Sequence, residues 1–261
     1  MLRKSALPAV LVFKLAFWFS TTLTVAQVPL IGVYEFNNSY DNSYGTLPSL
    51  QPIRSPGDTI GFGSGWWVWS GATGPDGTGL SLSLPSPLST YSIGMRFQLS
   101  DTDYYRKIID FSGLISDYGL YDYYGVFRLY NTGKSGGSIS PNTPVTIVFT
   151  RDDSTKTANL YVNGDPAPVL TATGLGSLFA ETSVLHFFVD DSTTSGEYSP
   201  AGQIDELRIW NAALSSSQVP NAFAPIPEPR LGGLVTAAAI LGLAVTRRML
   251  RHRTSSTTSA S

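Results

Sequence analysis

The sequence predicts an all-β protein, an antiparallel two-sheet jelly-roll sandwich flanked by an N-terminal signal helix and a C-terminal transmembrane helix. Three observations carry this. Stretches of alternating apolar and polar residues recur between turn signals, the pattern of antiparallel strands with one buried face. Gly and Pro number 25 and 17 in 261 residues, which leaves little room for long helices outside the two ends. Hydrophobic residues make up 42% and aromatics 12%, against 14% charged, so the chain can fill a core and is not disordered. The absence of Cys removes disulfides, thiolate metal sites and cysteine nucleophiles, and the two His leave little for His-based catalysis or a zinc site.

The chain opens on Met1-Leu2-Arg3-Lys4, continues with an apolar run from Leu7 to Phe19 interrupted by Lys14, and reaches the small-residue exit Thr24-Val25-Ala26. These are the three parts of a secretory signal peptide over residues 1–26, with cleavage expected after Ala26. Residues 27–218 then read as one domain. Tyr91 to Leu99 places Tyr91, Ile93, Met95, Phe97 and Leu99 on one face of a strand. Val145 to Thr150 and Ala158 to Val162 alternate in the same way and form a hairpin through Asp152 to Thr157, followed by the tight-turn dipeptide Asn163-Gly164. Gly32 to Phe36, Lys107 to Phe111, Val126 to Tyr130, Val184 to Val189 and Ile204 to Trp210 are further strands, while Gly61 to Gly79 reads as a Gly- and Trp-rich insertion. Residues 219–229 are expected to be a linker.

Beyond it lie 16 uncharged residues, Leu231 to Thr246, followed by Arg247, Arg248, Arg251 and Arg253. As a helix they span about 24 Å, a marginal crossing of a hydrocarbon core of about 30 Å unless the arginine stems reach back into it. Residues 230–250 are therefore read as a transmembrane helix with its arginine cluster, and 251–261 as a cytoplasmic tail. Between Gln27 and Pro229 there are nine basic and 19 acidic residues, a balance that argues against nucleic acid as a partner.

Pro225-Ile226-Pro227-Glu228-Pro229, a short apolar helix and an arginine cluster, in that order, resemble the PEP-CTERM sorting signal of Gram-negative bacteria that make extracellular polysaccharide. The resemblance implies that an exosortase, a membrane transpeptidase-like enzyme, recognises Pro227, Glu228 and Pro229. It also implies transient residence in the inner membrane and delivery to the cell surface or extracellular matrix. The middle carries a second resemblance. Arg106-Lys107-Ile108-Ile109-Asp110-Phe111, Ser116 to Tyr121, Thr150-Arg151-Asp152, Tyr161-Val162-Asn163-Gly164 and Phe187 to Asp191 occur in that order before Gly202 to Trp210 and Ala213-Leu214-Ser215. Together they are similar to the laminin-G-like, concanavalin A-like domain of secreted bacterial proteins. That similarity implies a jelly roll used mostly for binding and adhesion, in some members with calcium and glycans, in a minority for glycan hydrolysis.

Asp190 and Asp191 end an apolar strand, and Asp205 shares a strand face with Leu207 and Ile209, which makes it part-buried. Three such carboxylates at one rim need a cation or protons. Calcium, which takes six to eight oxygens, is one candidate. Backbone N–H groups, or an arginine such as Arg151 or Arg208, are the alternative. Trp66 and Trp67, and Tyr121 and Tyr123 among the crowded tyrosines 118–124, are candidates for stacking on sugar faces, with core packing as the alternative. The five Glu between Gln27 and Pro229 do not form the E-x-D-x-x-E strand that the resemblance implies for glycosidases of this fold, so no enzyme is expected. Gly133-Lys134-Ser135 lacks the first glycine of a phosphate loop, and His186 reads as a core imidazole. The functional expectation is an exported surface or matrix module that binds an extracellular polysaccharide or surface glycan. A glycan-cleaving enzyme and a purely structural matrix protein are the alternatives.

Overall fold

A computed structural model of the chain describes residues 28–71, 77–179, 182–191 and 200–226. The signal segment, the sorting motif Pro227-Glu228-Pro229, the membrane helix and the tail lie outside the described residues. Among the described residues no helix is long and apolar enough to cross a membrane.

Two antiparallel sheets enclose one core. The nine-stranded sheet comprises β1 (Leu30–Tyr34), β2 (Tyr44–Gly45), β4 (Ile60–Gly63), β5 (Trp66–Trp69), β7 (Tyr91–Leu99), β12 (Val145–Asp152), β13 (Thr157–Val162), β14 (Leu170–Ala172) and β16 (Gly202–Trp210). Its order is β14-β13-β12-β7-β16-β1-β2, with β5 pairing both β16 and β4. The seven-stranded sheet comprises β3 (Gln51–Ile53), β6 (Gly79–Leu88), β8 (Tyr105–Asp110), β9 (Gly119–Tyr123), β10 (Val126–Tyr130), β11 (Lys134–Ser138) and β15 (Thr182–Phe187). Its order is β11-β10-β9-β8-β15-β6-β3. The result is a jelly-roll-like sandwich.

The alternation read in the sequence is what closes it. Ile93, Met95 and Phe97 on β7, Ile147 and Phe149 on β12, and Leu207 and Ile209 on β16 belong to one buried cluster with Leu120 on β9, Phe127 and Leu129 on β10, and Leu185 and Phe187 on β15. Each such side chain contributes about 1.5–3 kcal/mol on burial, which makes the period-2 pattern the main determinant of the fold. The hairpin of β12 and β13 pairs Ile147 with Val162 and Asp152 with Thr157, as expected. Asn163 and Gly164 follow with φ of 52° and 75°.

Three expectations are corrected. The described residues of 61–79 are not an insertion: β4 and β5 join through a two-residue turn, Ser64-Gly65, with φ of 55° and 80°, and β5 pairs β16 from Gly202 to Ile204. Asp205 does not share a face with Leu207 and Ile209, because β16 carries a bulge between Ile204 and Glu206, opposite Phe97 and Arg96. The extra residue breaks the alternation, so Ile204 rather than Asp205 joins Leu207 and Ile209 in the core. The start of the expected linker is docked on the outer face of the nine-stranded sheet. Val219 and Ala222 pack with Val148, Tyr161, Trp210 and Leu214, and the Arg208 guanidinium donates to the carbonyls of Ala222 (3.0 Å) and Ala224 (2.8 Å).

Candidate functional site on the outer face of the seven-stranded sheet

Leu120, Phe127, Leu129, Leu185 and Phe187 point into the core, so Tyr121, Tyr123, Val126, Arg128, Tyr130 and His186 lie on the opposite, outer face. Two arrangements share that face.

The first is aromatic. The rings of Tyr105 and Tyr123 are 4.2 Å apart, and those of Tyr123 and Tyr124 are 4.8 Å apart. Tyr104 stands edge-on to Tyr105 at 5.5 Å and perpendicular to Tyr124 at 6.3 Å. Tyr104 and Tyr124 are 47% and 60% exposed, whereas aromatic rings elsewhere on the sandwich are mostly enclosed. The Arg128 guanidinium lies 5.4 Å from the Tyr123 ring and 5.9 Å from the Tyr105 ring, and its Nη1 donates to the Tyr105 hydroxyl at 3.0 Å. An open cavity of about 340 Å³ is lined by Tyr123, Tyr124, Val126, Arg128 and Ser135.

Local geometry presents these rings. Tyr124 and Gly125 form a two-residue turn between Tyr123 and Val126, with φ of 50° and 79°. A turn with both central residues left-handed favours Asn-Gly, so a tyrosine at its first position is held there against local preference. Tyr104 is also left-handed, at φ of 59°, and the Tyr124 N–H donates to its carbonyl at 3.4 Å. Beneath the patch, on the core side of β9, Asp122 is fully buried, and that burial pushes its carboxyl up to about 7.

The second arrangement is charged. The buried Lys107 ammonium donates to Asp110 Oδ2 at 3.1 Å, the Ser116 carbonyl at 3.4 Å and Asp191 Oδ2, and lies 3.6 Å from Asp190 Oδ1. Burial would lower the Lys107 pKa, but the carboxylates of Asp110, Asp190 and Asp191 outweigh it and raise it. Burial pushes Asp110 up, yet the His186 ring, the Lys107 charge and the Leu114 N–H together hold it below the ordinary carboxylate range. At Asp190 burial prevails over Lys107 and pushes the carboxyl up to about 6. Lys107 also lies 5.2 Å from the Tyr121 ring, which links the two arrangements.

The residues singled out in the sequence therefore separate. Tyr123 is in the patch. Tyr121 is buried under Tyr105, Tyr130 and Lys107 and offers no free face. Trp67 is fully buried, stacked on Trp69 at 4.8 Å with its Nε1 donating to the Tyr40 hydroxyl, so it is a core residue. Trp66 is half-buried on β5, in the other sheet, and cannot join the tyrosines. Asp190 and Asp191 meet at Lys107 with Asp110, whereas Asp205 pairs with Arg96 on the outer face of the nine-stranded sheet. Neither arginine expected to hold Asp205 does so: Arg151 faces Asp153 and Arg208 faces Glu206. The ammonium fills the point where the three carboxylates converge, and these residues do not fit a calcium ion there. Among the described residues no group of three or more His, Asp or Glu has metal-holding geometry.

Tyr104, Tyr105, Arg128 and Ser135 were not legible as site residues. Arg128 shows in the sequence only as the polar step between Phe127 and Leu129, and it reaches Tyr105 because β9 places β8 and β10 on its two sides.

Comparison with known proteins agrees with the fold. Domain 4 of AbnA, a GH43 extracellular arabinanase from Geobacillus stearothermophilus solved with arabinotriose, is 19% identical, with 74% of this chain and 98% of that domain aligned at a TM-score of 0.56. The binding domain of botulinum neurotoxin serotype C1 is 12% identical over 77% of this chain and 53% of its own, at a TM-score of 0.57. A Trypanosoma rangeli sialidase is 13% identical over 73% of this chain and 32% of its own, at 0.53. No curated protein matches the chain. Residues 76–220, more than half of the sequence, match the laminin-G-type family described as the concanavalin A-like lectin/glucanases superfamily, and the chain belongs to that superfamily.

Proposed function

We propose that the chain is an exported, non-catalytic module that binds a glycan on the outer face of its seven-stranded sheet. The observation that carries this reading is the pair of exposed tyrosines, Tyr104 and Tyr124, both in left-handed backbone, with Tyr124 lining the Arg128 cavity and the Tyr104 ring perpendicular to that of Tyr124 at 6.3 Å. Strained, solvent-facing aromatics are expensive to keep unless they are used, and rings of this kind stack on the apolar faces of sugars. Support also comes from the solved structures of similar fold, one of which holds arabinotriose. A binding rather than a cleaving role is favoured by the placement of Asp110, Asp190 and Asp191. They are buried at an ammonium instead of flanking a cleft, where a glycosidase needs an acid and a second carboxylate about 5–9.5 Å apart.

Before it binds, the chain is exported by the signal over residues 1–26. Its Pro227-Glu228-Pro229 motif is presented to an exosortase-type enzyme while residues 230–250 sit in the inner membrane, and the domain reaches the cell surface or matrix.

Screening the purified protein on a glycan array, with and without calcium, tests the reading. Selective binding is expected, with no release of reducing ends. Reducing-end release from the same glycans would establish the enzyme alternative, and tight self-association without any ligand would establish the structural one.

A further inference from the structure

We infer that the ligand of the tyrosine patch is an acidic glycan, and that Arg128 pairs with a sugar carboxylate. This rests on the glycan-binding reading and names the chemical class of ligand. Five arginines lie on strands of the sandwich. Arg96 pairs with Asp205, Arg106 with Asp101, Arg151 with Asp153 and Arg208 with Glu206. Arg128 alone of the five has no carboxylate partner among the described residues.

Its surroundings hold it ready for one. The Tyr105 hydroxyl takes one guanidinium N–H, the cation lies against the neighbouring rings of Tyr105 and Tyr123 at 5.9 and 5.4 Å, and the side chain is half-buried along the wall of the cavity. A guanidinium has five N–H donors in a planar fork that matches a carboxylate with two parallel hydrogen bonds. The rings beside it cover part of the guanidinium, and partial removal from water strengthens such a pair relative to one in bulk solvent. Ser135, directly across from Arg128 in the β10–β11 register, supplies a hydroxyl to the same cavity for a neighbouring sugar oxygen. The exposed rings of Tyr104 and Tyr124 lie at the margin, where the apolar face of an adjoining sugar can rest.

The acidic residues near the patch are few. Asp101 is already paired with Arg106, Asp122 is buried under the sheet with its carboxyl pushed up to about 7, Asp103 is exposed beside Tyr104 at the margin, and charges beyond about 8 Å are screened at physiological salt. The cavity is at the small end of the range of about 300–1,000 Å³ for ligand pockets, so it suits a short stretch of sugar and not a long chain.

The test is calorimetric titration of the full protein with trisaccharides of galacturonate, mannuronate and guluronate, each beside its carboxyl-reduced counterpart. At least one acidic trisaccharide is expected to bind tenfold or more tightly than its reduced form. Arg128→Gln is expected to abolish that difference while leaving the thermal unfolding curve in place, and Arg128→Lys to restore only part of it, because an ammonium lacks the planar fork. Should Arg128→Gln fail to fold, Arg128→Lys together with the acidic-to-reduced ratio of the unaltered protein decides. Equal affinity for acidic and reduced forms, or an unchanged ratio in Arg128→Gln, overturns the inference and leaves glycan binding standing. Absence of binding to every trisaccharide and to the glycan array overturns both.

Discussion

An ammonium at the meeting point of Asp110, Asp190 and Asp191 supplies the positive charge for which the sequence left calcium, protons and an arginine open at Asp190, Asp191 and Asp205. Removing one member of a buried charge cluster leaves the others uncompensated, which typically costs about 3–5 kcal/mol. Lys107→Met should therefore lower stability by about that amount in urea unfolding. In the variant alone, calcium should raise the melting temperature, because the three carboxylates then lack that cation. An unaltered protein that melts higher in calcium than in chelator would show that Lys107 is not the resident cation. Asp122 makes the opposite case, a buried carboxyl whose neutral form is favoured. Its folded pKa of about 7 lies above the ordinary aspartate value of 3.8, so between these values the folded state binds more protons than the unfolded chain. Stability then falls as pH rises from about 4 to about 7, by up to about 1.4 kcal/mol per pH unit. Asp190, pushed up to about 6, adds to the lower part of that window. Asp110 has the reverse sign: its contribution is present above the ordinary carboxylate pKa and is lost as pH falls through its lowered one. Urea midpoints at pH 5 and pH 8 should thus lie closer together in Asp122→Asn than in the unaltered protein, mainly through a gain at pH 8.

The connection between β9 and β10 shows what the elements trade for the site. A turn of this geometry is best served by Asn-Gly, and here it carries Tyr124-Gly125. Tyr124→Asn is expected to stabilise the fold by roughly 1 kcal/mol, by relieving a left-handed tyrosine, and at the same time to weaken glycan binding. Loss of stability on that substitution would mean that the ring is held by packing and not displayed. Elsewhere the elements follow their sequences closely. Tyr91–Leu99 and Val126–Tyr130 have the bounds that alternation assigns them. The sandwich edge is different, because there one backbone meets another. A Cβ on Gly136 of β11 would lie 1.9 Å from the Val169 carbonyl beside β14, so only glycine lets the rims of the two sheets approach. Nothing in the local run Lys134–Ser138 signals that contact.

Across the whole molecule, both ends of the described chain lie on the nine-stranded sheet. Val28 and Leu30 pack against the cluster of Trp210, Leu214 and Val219, and Arg208 holds the carbonyls of Ala222 and Ala224. The tyrosine patch occupies the outer face of the other sheet, away from both ends of the described chain. The export reading predicts a mature N-terminus at Gln27, which Edman sequencing of the exported protein checks; a chain still beginning at Met1 would refute cleavage after Ala26.

Strand identity and the facing of Ile93, Phe149 or Leu207 into the core were legible because each depends on a short window of neighbouring residues and on the period of a strand. The all-β class followed from that alone. What charges meet was settled only in three dimensions. Lys107 is 84 residues from Asp191 and binds it because β15 lies beside β8, and Arg128 reaches Tyr105 across β9. A bulge of one residue moved Asp205 from the expected acidic rim to Arg96. Periodicity specifies which face a residue takes on its own strand, whereas sheet order and register decide its neighbours, and those arise from pairings between segments far apart in the chain.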